Sequence, residues 1–203
     1  MLKIKDLIAR YEENTVIGGV TFEFEDRKKY AITGASGIGK TTLINILVGL
    51  KKQDSGTIET SYENPSYIFQ DARLFPWLTA LENVELVCKD KKKAKELLHR
   101  LIDDKDIDKK SPSELSGGMR QRVAIARALS FDGDIVFMDE PFKGLDIETR
   151  KDTRKLVFDI LKDKTVIMIT HDIEDAEYCD VILRMEGSPV TALFIEKSDD
   201  MQI

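Results

Sequence analysis

The sequence is poor in the residues that build disulfide frameworks, metal clusters and membrane spans. It has two cysteines, two histidines and one tryptophan in 203 residues. Cys88 and Cys179 have neither metal-ligand nor redox spacing, so we expect no disulfide between them. No apolar run approaches the length of a transmembrane helix, and the first residues lack the apolar core of a signal peptide. These absences predict a cytoplasmic protein that reaches a membrane only through a partner.

The chain also lacks an excess of positive charge. Lys and Arg number 31 against 37 Asp and Glu, a formal net charge of −6, and the basic residues are spread along the chain. This argues against a nucleic-acid-binding surface, and we expect no nucleic-acid partner. The main basic cluster, residues 89–95, lies in a region with a helical pattern (83–110) and is predicted to form a solvated helix face or a helix end.

A glycine-rich loop stands between a strand-like run at 30–33 and a helix-like run at 43–48 that Gly49 would end. The loop matches G-x-x-x-x-G-K-[ST], whose backbone N–H groups turn toward phosphate oxygens. Lys40 can reach the β- and γ-phosphates, and the hydroxyl of Thr41 can ligate Mg²⁺. The sequence therefore predicts a nucleoside triphosphate site. Its expected contacts are Gly34, Ala35, Ser36, Gly37, Ile38, Gly39, Lys40, Thr41 and Thr42.

Two adjacent carboxylates close a strand-like run at 134–140 that is apolar from 135 to 138. An entirely apolar strand is typical of a parallel sheet, and ligands bind at the carboxyl ends of such strands. Asp139 can hold the metal directly or through water, and Glu140 can polarise the attacking water.

Three further residues are candidates for the same site on weaker grounds. His171 ends the apolar run 166–170 and can donate to the γ-phosphate, although a lone histidine there is more often structural. Gln70 ends a short strand-like run and could coordinate Mg²⁺ or orient a water, although a loop glutamine is ordinarily solvated. Tyr11 lies in a polar stretch where it can stack on a purine ring, with a surface or packing role as the alternative.

A second anion-binding element is indicated at residues 115–122, which precede an Ala-rich apolar helix. Ser116 is a good N-cap, and Gly117 and Gly118 expose backbone N–H groups at the helix start. The spacing alone does not show whether this element faces the first.

An unusually apolar segment follows Gln70. Four large side chains surround Pro76, which is too apolar for an ordinary surface loop: Leu74, Phe75, Trp77 and Leu78. A segment of this kind is either folded onto the core or a docking surface, and composition leaves both open.

Together, and in this order, these motifs resemble the ATP-binding subunits of ABC transporters over nearly all of the chain. The resemblance implies an α/β P-loop NTPase: a RecA-like mixed sheet flanked by helices, with an N-terminal antiparallel β part and an inserted helical subdomain. It implies ATP and Mg²⁺ as ligands. The matched motifs are the Walker A loop (34–42), Q-loop Gln70, signature (115–121), Walker B Asp139, catalytic Glu140, D-loop (144–146), switch His171 and the adenine-stacking Tyr11. Thr41, Gln70 and Asp139 are the implied metal ligands, and Lys40, Gln70, Glu140 and His171 the implied catalytic residues.

The resemblance also sets the expected domain organisation. A single domain would span 1–203, with a nucleotide-binding core at 1–70 and 130–203 and a helical and signature subdomain at 71–129. The polar residues after Glu196 are expected to fray.

The expected partners follow from the same family. A head-to-tail dimer, expected to be a homodimer, would close Ser116, Gly117, Gly118 and Gln121 of one subunit on the nucleotide held by the other. Residues 69–79 are similar to the importer ATPases for nitrate, sulfonate, taurine and thiamine precursors, where this surface receives a transmembrane permease. That favours docking at Leu74, Phe75, Trp77 and Leu78, at the cytoplasmic face of the cell membrane, with a periplasmic or surface solute-binding protein acting indirectly.

The implied function is ATP-driven uptake of a small solute; the alternatives are an exporter or lipoprotein-release ATPase and a soluble ABC ATPase. At Lys143-Gly144 the sequence departs from the family, in which small residues are commoner at these two positions.

Overall fold

A computed structural model describes residues 1–198 of the chain. Its contacts divide the chain into two compact units. The first comprises Met1–Pro65, Asp134–Asp139 and the chain from Asp163 onward; the second comprises Ser66–Gly133 and Glu140–Lys162.

The strands carry most of the first unit. They are β1 (Leu2–Tyr11), β2 (Asn14–Phe24), β3 (Lys29–Thr33), β4 (Ser55–Thr60), β5 (Pro65–Ile68), β6 (Ile135–Asp139), β7 (Thr165–Ile169), β8 (Val181–Gly187) and β9 (Val190–Ser198). β5 begins in the first unit and ends in the second. Residues 197 and 198 pair with Ile182 and Val181, so the expected fraying after Glu196 is wrong at these two positions, where strand pairing orders the backbone. The rest of that expectation, residues 199–203, lies outside the described part.

Helices dominate the second unit, which holds α2 to α5, whereas α1 and α6 lie in the first. Over residues 1–198 the α-helices are α1 (Lys40–Leu47), α2 (Ala80–Glu85), α3 (Lys91–Leu101), α4 (Gly117–Ser130), α5 (Ile147–Ile160) and α6 (Ile173–Ala176), with 3₁₀ turns at Ile107–Lys109 and Pro112–Glu114. Within the described chain, no helix is long and apolar enough to cross a membrane.

The sheet of the first unit is mixed, as predicted. Its strands run in the order β4-β1-β2-β9-β8-β3-β7-β6. β1 pairs antiparallel with β2 and β4, which is the predicted N-terminal antiparallel part, whereas β3, β7 and β6 are parallel. Every residue of β6 and β7 is buried, as expected for strands covered on both faces.

The register of the parallel strands decides where the site lies. Ile169 of β7 stands opposite Ile32 of β3 on one side and Asp139 of β6 on the other. The three strands therefore end level, and the residues that follow them meet at one edge of the sheet.

The second unit packs α2 and α3 against α4, and their buried residues form its core. The region with the helical pattern, 83–110, is divided in the structure, because α2 ends at Glu85 and α3 begins at Lys91. Asp90 starts the new helix by accepting hydrogen bonds from the N–H groups of Lys92 (2.9 Å) and Lys93 (3.2 Å).

The chain after Glu140 belongs with these helices. α5 contacts α4, and the ring centroids of Phe142 and Phe158 lie 6.5 Å apart in a buried cluster. The contacts thus group 140–162 with the helical unit, whereas the sequence assigns those residues to the core; the predicted boundaries at 70 and 130 stay a prediction.

Candidate functional site

The glycine-rich loop joins β3 to α1 in a conformation that glycine permits. Gly34, Gly37 and Gly39 have φ angles of +138°, +77° and +115°. A Cβ on Gly34 would lie 2.7 Å from the backbone oxygen of Met185, and one on Gly39 would lie 2.5 Å from Cγ1 of Val16. The fold therefore presses β8 and β2 against the two ends of the loop, whereas the crown at 35–37 is exposed.

Lys40 closes the loop from inside. Its side chain is buried, and its Nζ donates hydrogen bonds to the carbonyl oxygens of Gly34 (2.8 Å) and Ala35 (2.9 Å). These two acceptors offset the cost of burying an ammonium group and fix its position under the crown. An ammonium held in this way is directed at any anion that the loop receives.

Thr41 and Asp139 bring a hydroxyl and a carboxylate together, although 98 residues separate them in sequence. Thr41 Oγ1 donates to Asp139 Oδ2 over 2.8 Å, and Asp139 is buried at the end of β6. Both predicted metal ligands of the first unit thus lie side by side at the start of α1.

His171 follows β7 at the same edge of the sheet. Thr170 is fully buried; its Oγ1 donates to Asp175 Oδ2 (3.2 Å) and accepts from the Asp172 N–H (3.0 Å). These bonds fix the backbone on both sides of the exposed His171. The phosphate loop, Asp139 and His171 therefore lie at the carboxyl ends of three adjacent strands, which end at the same edge of the sheet.

Tyr11 ends β1 with half of its surface (51%) exposed. Lys51 Nζ lies 4.3 Å from its ring centroid and also donates to the Arg10 carbonyl at 3.3 Å. The cation–π contact holds the ring from one side. Sequence reasoning missed Lys51, because no local pattern signals a contact across 40 residues.

The signature element lies in the second unit. Ser116 caps α4 by accepting a hydrogen bond from the Met119 N–H at 3.1 Å, as predicted. Ser116 and Gly117 are exposed. A Cβ on Gly118 would lie 3.2 Å from Leu145 Cδ2, so that glycine allows residues 144–145 to approach α4.

Gln121 differs from its exposed neighbours in this element. It is buried, and its Nε2 donates to the carbonyl oxygens of Pro141 (3.0 Å) and Phe69 (3.5 Å). The amide thereby joins the backbone beside Gln70 to the backbone beside Glu140. A direct contact between Gln121 and nucleotide remains a prediction that this burial does not favour.

Glu140 carries unusual backbone geometry. It is a non-glycine residue at φ +48°, directly after the buried strand β6. Such conformations cost on the order of 1–3 kcal/mol and concentrate at functional sites. Gln70 is exposed two residues after β5 ends.

The apolar segment, defined here as residues 72–79, is a surface rather than part of the core. Trp77 is 74% exposed and Phe75 41%, with ring centroids 5.4 Å apart. Two further apolar side chains, Leu86 and Val87, are exposed after α2.

Comparison with known proteins gives the same family throughout. The sequence matches the ABC transporter family over residues 17–143. It is 38% identical over 191 residues to an aliphatic sulfonates import ATP-binding protein of Bacillus subtilis (strain 168), covering 87% of this chain and 74% of that one. A protein of the same name from Rhodococcus jostii (strain RHA1) is 38% identical over 175 residues, covering 82% of this chain and 71% of that one.

Solved structures agree with these relatives. A dimeric ATP-binding cassette in a post-hydrolysis state, bound to ADP and Pi, superposes with a TM-score of 0.86 at 29% identity. The match covers 97% of this chain and 98% of the cassette.

Proposed function

Because the chain belongs to the ABC transporter family of ATP-binding proteins, we propose that it is the ATP-hydrolysing subunit of an importer that takes up a small solute. The sulfonate-import relatives support an importer over an exporter, a lipoprotein-release system or a soluble ABC ATPase. They also make an organic sulfonate the first solute to test. The solute would pass through a separate transmembrane permease.

The single observation that best supports ATP binding is the arrangement of Lys40 under the loop. Its ammonium lies within 2.9 Å of two loop carbonyls and beneath an exposed crown of backbone N–H groups. Phosphate oxygens entering the crown would accept from those N–H groups, and the ammonium would balance their charge. Tyr11 would stack on the adenine with the ring face that Lys51 does not cover.

The oxygens of Thr41 and Asp139 fit Mg²⁺, a hard cation that proteins hold through one or two carboxylates together with substrate phosphates. Among residues 1–198, no group of three or more His, Cys, Asp or Glu side chains is placed to hold a metal ion. Mg²⁺ would neutralise charge on the transferred phosphoryl group. Gln70 keeps its proposed place as a further oxygen ligand on the family resemblance alone.

Glu140 is proposed to orient and polarise the attacking water. One peptide bond separates it from Asp139, and its left-handed backbone turns the chain sharply at the end of β6. His171 would donate to the γ-phosphate from the end of the neighbouring strand. His171 would thereby act on charge that develops at the phosphoryl group, whereas Glu140 would act on the water that attacks it.

Two copies of the chain are proposed to complete each site. Ser116, Gly117 and the start of α4 present N–H groups and a helix dipole to solvent, which is an anion-binding arrangement in the second unit. In a head-to-tail dimer this element would close on the nucleotide of the partner subunit. The dimeric cassette bound to ADP and Pi supports this assembly.

The apolar segment is proposed to receive the permease at the cytoplasmic face of the membrane. Exposed aromatic side chains at Phe75 and Trp77 supply the kind of anchors that dominate protein interfaces. A periplasmic or surface solute-binding protein would act on the other side of the permease.

Glu140→Gln tests the proposed hydrolysis. We expect MgATP still to bind and to produce a dimer visible by light scattering, while turnover falls by about 10²–10⁴-fold, since a catalytic base is lost. Glu96→Gln, on the exposed face of α3, is the matched control and should keep its turnover. Undiminished turnover in Glu140→Gln would refute the role given to Glu140.

A further inference from the structure

The apolar segment is tied down by a buried asparagine. Asn83 of α2 is fully buried, and its Nδ2 donates to the carbonyl oxygens of Phe75 (3.2 Å), Leu78 (3.3 Å) and Thr79 (2.9 Å). Its Oδ1 accepts a hydrogen bond from the Phe75 N–H at 2.8 Å. One side chain thus satisfies the turn that displays Trp77, which explains why an exposed segment keeps a defined shape.

An arginine from α4 completes the arrangement. Arg127 Nη1 donates to the Arg73 carbonyl (3.0 Å) and lies 3.5 Å from Asn83 Oδ1, while Nη2 donates to the Ala72 carbonyl (3.1 Å). Its guanidinium carbon is 5.9 Å from the ring centroid of Phe75. The planar guanidinium of Arg127 therefore joins α4 to two consecutive carbonyls of the segment. The ammonium group of a lysine could not bind both carbonyls with the same geometry.

The same helix carries the signature at its other end. Ser116 caps α4 and Arg127 follows eleven residues later, roughly 16 Å along the axis at 1.5 Å per residue. Residues 119–129 contain neither Gly nor Pro, and most of them are buried. Sharp kinks in helices occur mainly at Pro or Gly, so we expect this stretch to carry a displacement from one end to the other.

We propose that Arg127 is a positioning residue that couples the signature end of α4 to the apolar segment, so that closure of a nucleotide on Ser116 shifts Trp77. The inference rests on the proposed function, since it takes Ser116 as a nucleotide contact in the dimer. Arg127 would act through its contacts within the chain, with the Ala72 and Arg73 carbonyls and the Phe75 ring. Its substitution would separate ATP-driven dimerisation from the response of the docking surface.

The only tryptophan of the chain lies in the apolar segment, so fluorescence excited selectively at tryptophan reports on that segment. In the Glu140→Gln background, MgATP should change the emission maximum of Trp77 as the dimer forms. With Arg127→Met added, the dimer should still form by light scattering, but the Trp77 response should be lost. Arg127→Lys keeps the charge and the stem and should give a partial response.

Arg100→Met is the control, because Arg100 is an exposed arginine in the last turn of α3, in the same unit and outside the signature. It should keep the full response. A second readout is independent of nucleotide: amide hydrogen exchange at 72–79 should be faster in Arg127→Met than in the parent and unchanged in Arg100→Met.

Two results with nucleotide would overturn the inference: an unchanged Trp77 response in Arg127→Met, or a parent that dimerises without any response at Trp77. A third result, measured without nucleotide, is hydrogen exchange at 72–79 that is equally fast in Arg127→Met and in the parent. A parent that neither binds MgATP nor dimerises would instead count against the proposed function, which keeps the two failures distinct.

Discussion

Single residues in the phosphate loop are constrained from two directions. Gly34 has a positive φ and lies against the backbone of β8, whereas Gly37 has a positive φ and open space around it. The first glycine is required by packing and conformation together, the second by conformation alone.

Gly34→Ala and Gly37→Ala should therefore differ in stability. A positive φ costs an alanine about 1–2 kcal/mol, and overpacking against an immobile carbonyl adds a similar amount at position 34. We expect a loss of about 3 kcal/mol for Gly34→Ala and about 1 kcal/mol for Gly37→Ala, measured by urea unfolding. Equal losses in the two variants would contradict the packing assigned to Gly34.

The positions of residues were predictable where the signal is local. The loop, Thr41 and Asp139 follow from a motif and from two strand ends, and the structure places Thr41 beside Asp139. Gln121 was assigned to the nucleotide from its motif, but its burial depends on Phe69 and Pro141, which are distant in sequence. No motif pointed to Arg127 either, because its contacts also join residues that are distant in sequence.

At the scale of elements, charged side chains fix where the helices of the second unit begin and end. Asp90 starts α3, and the turn after α3 returns Asp108 to its surface. Asp108 meets Lys95 Nζ at 2.6 Å and His99 Nε2 at 2.8 Å. Burial by itself would raise the pKa of Asp108, but hydrogen bonds from Lys95 and His99 outweigh it and lower the pKa.

A lowered pKa makes this contact sensitive to acid. The contribution of Asp108 to stability is fully present above the unfolded pKa, about 3.9, and is lost as the pH falls through the lower folded value. Asp108→Asn should therefore reduce Tm at pH 7 and flatten the fall in Tm below about pH 4. Asp103→Asn, at an exposed position five residues earlier, serves as the control. Parallel acid curves for Asp108→Asn and the parent would contradict the prediction.

Element types were predictable from periodicity, whereas the break inside 83–110 was not. The helical pattern of the region does not show where one helix ends and the next begins, and the cap at Asp90 marks the new helix. Leu86 and Val87 lie in the break and are exposed, so their hydrophobicity does not reveal it. A cap made by an aspartate among many charged residues carries a weak signal in sequence.

At the scale of the whole molecule, the family's motifs divide between the two units. The phosphate loop, Asp139 and His171 belong to the first unit, and Gln70, the signature and Glu140 belong to the second. The order of motifs along the chain predicted the family, and the matched relatives and cassette structures bear it out. Whether a signature closes on the phosphate loop of its own chain or of a partner depends on how the subunits assemble. The contacts within a single chain do not determine this.

The central claim is that one chain supplies the phosphate loop and another supplies the signature. Lys40→Met removes the loop's ammonium, and Ser116→Arg obstructs the exposed start of α4 without touching the loop. Each variant should hydrolyse ATP very poorly when it is assayed alone. Their equimolar mixture allows heterodimers that hold one site with both Lys40 and Ser116 intact.

The most direct measurement is the ATPase rate of that mixture against the two separate variants. With random pairing and independent sites, we expect roughly a quarter of the parent rate per chain, because half of the dimers would carry one intact site of two. A mixture as inactive as its components, although both variants still form dimers, would contradict the account. So would a Ser116→Arg variant that keeps the parent rate alone.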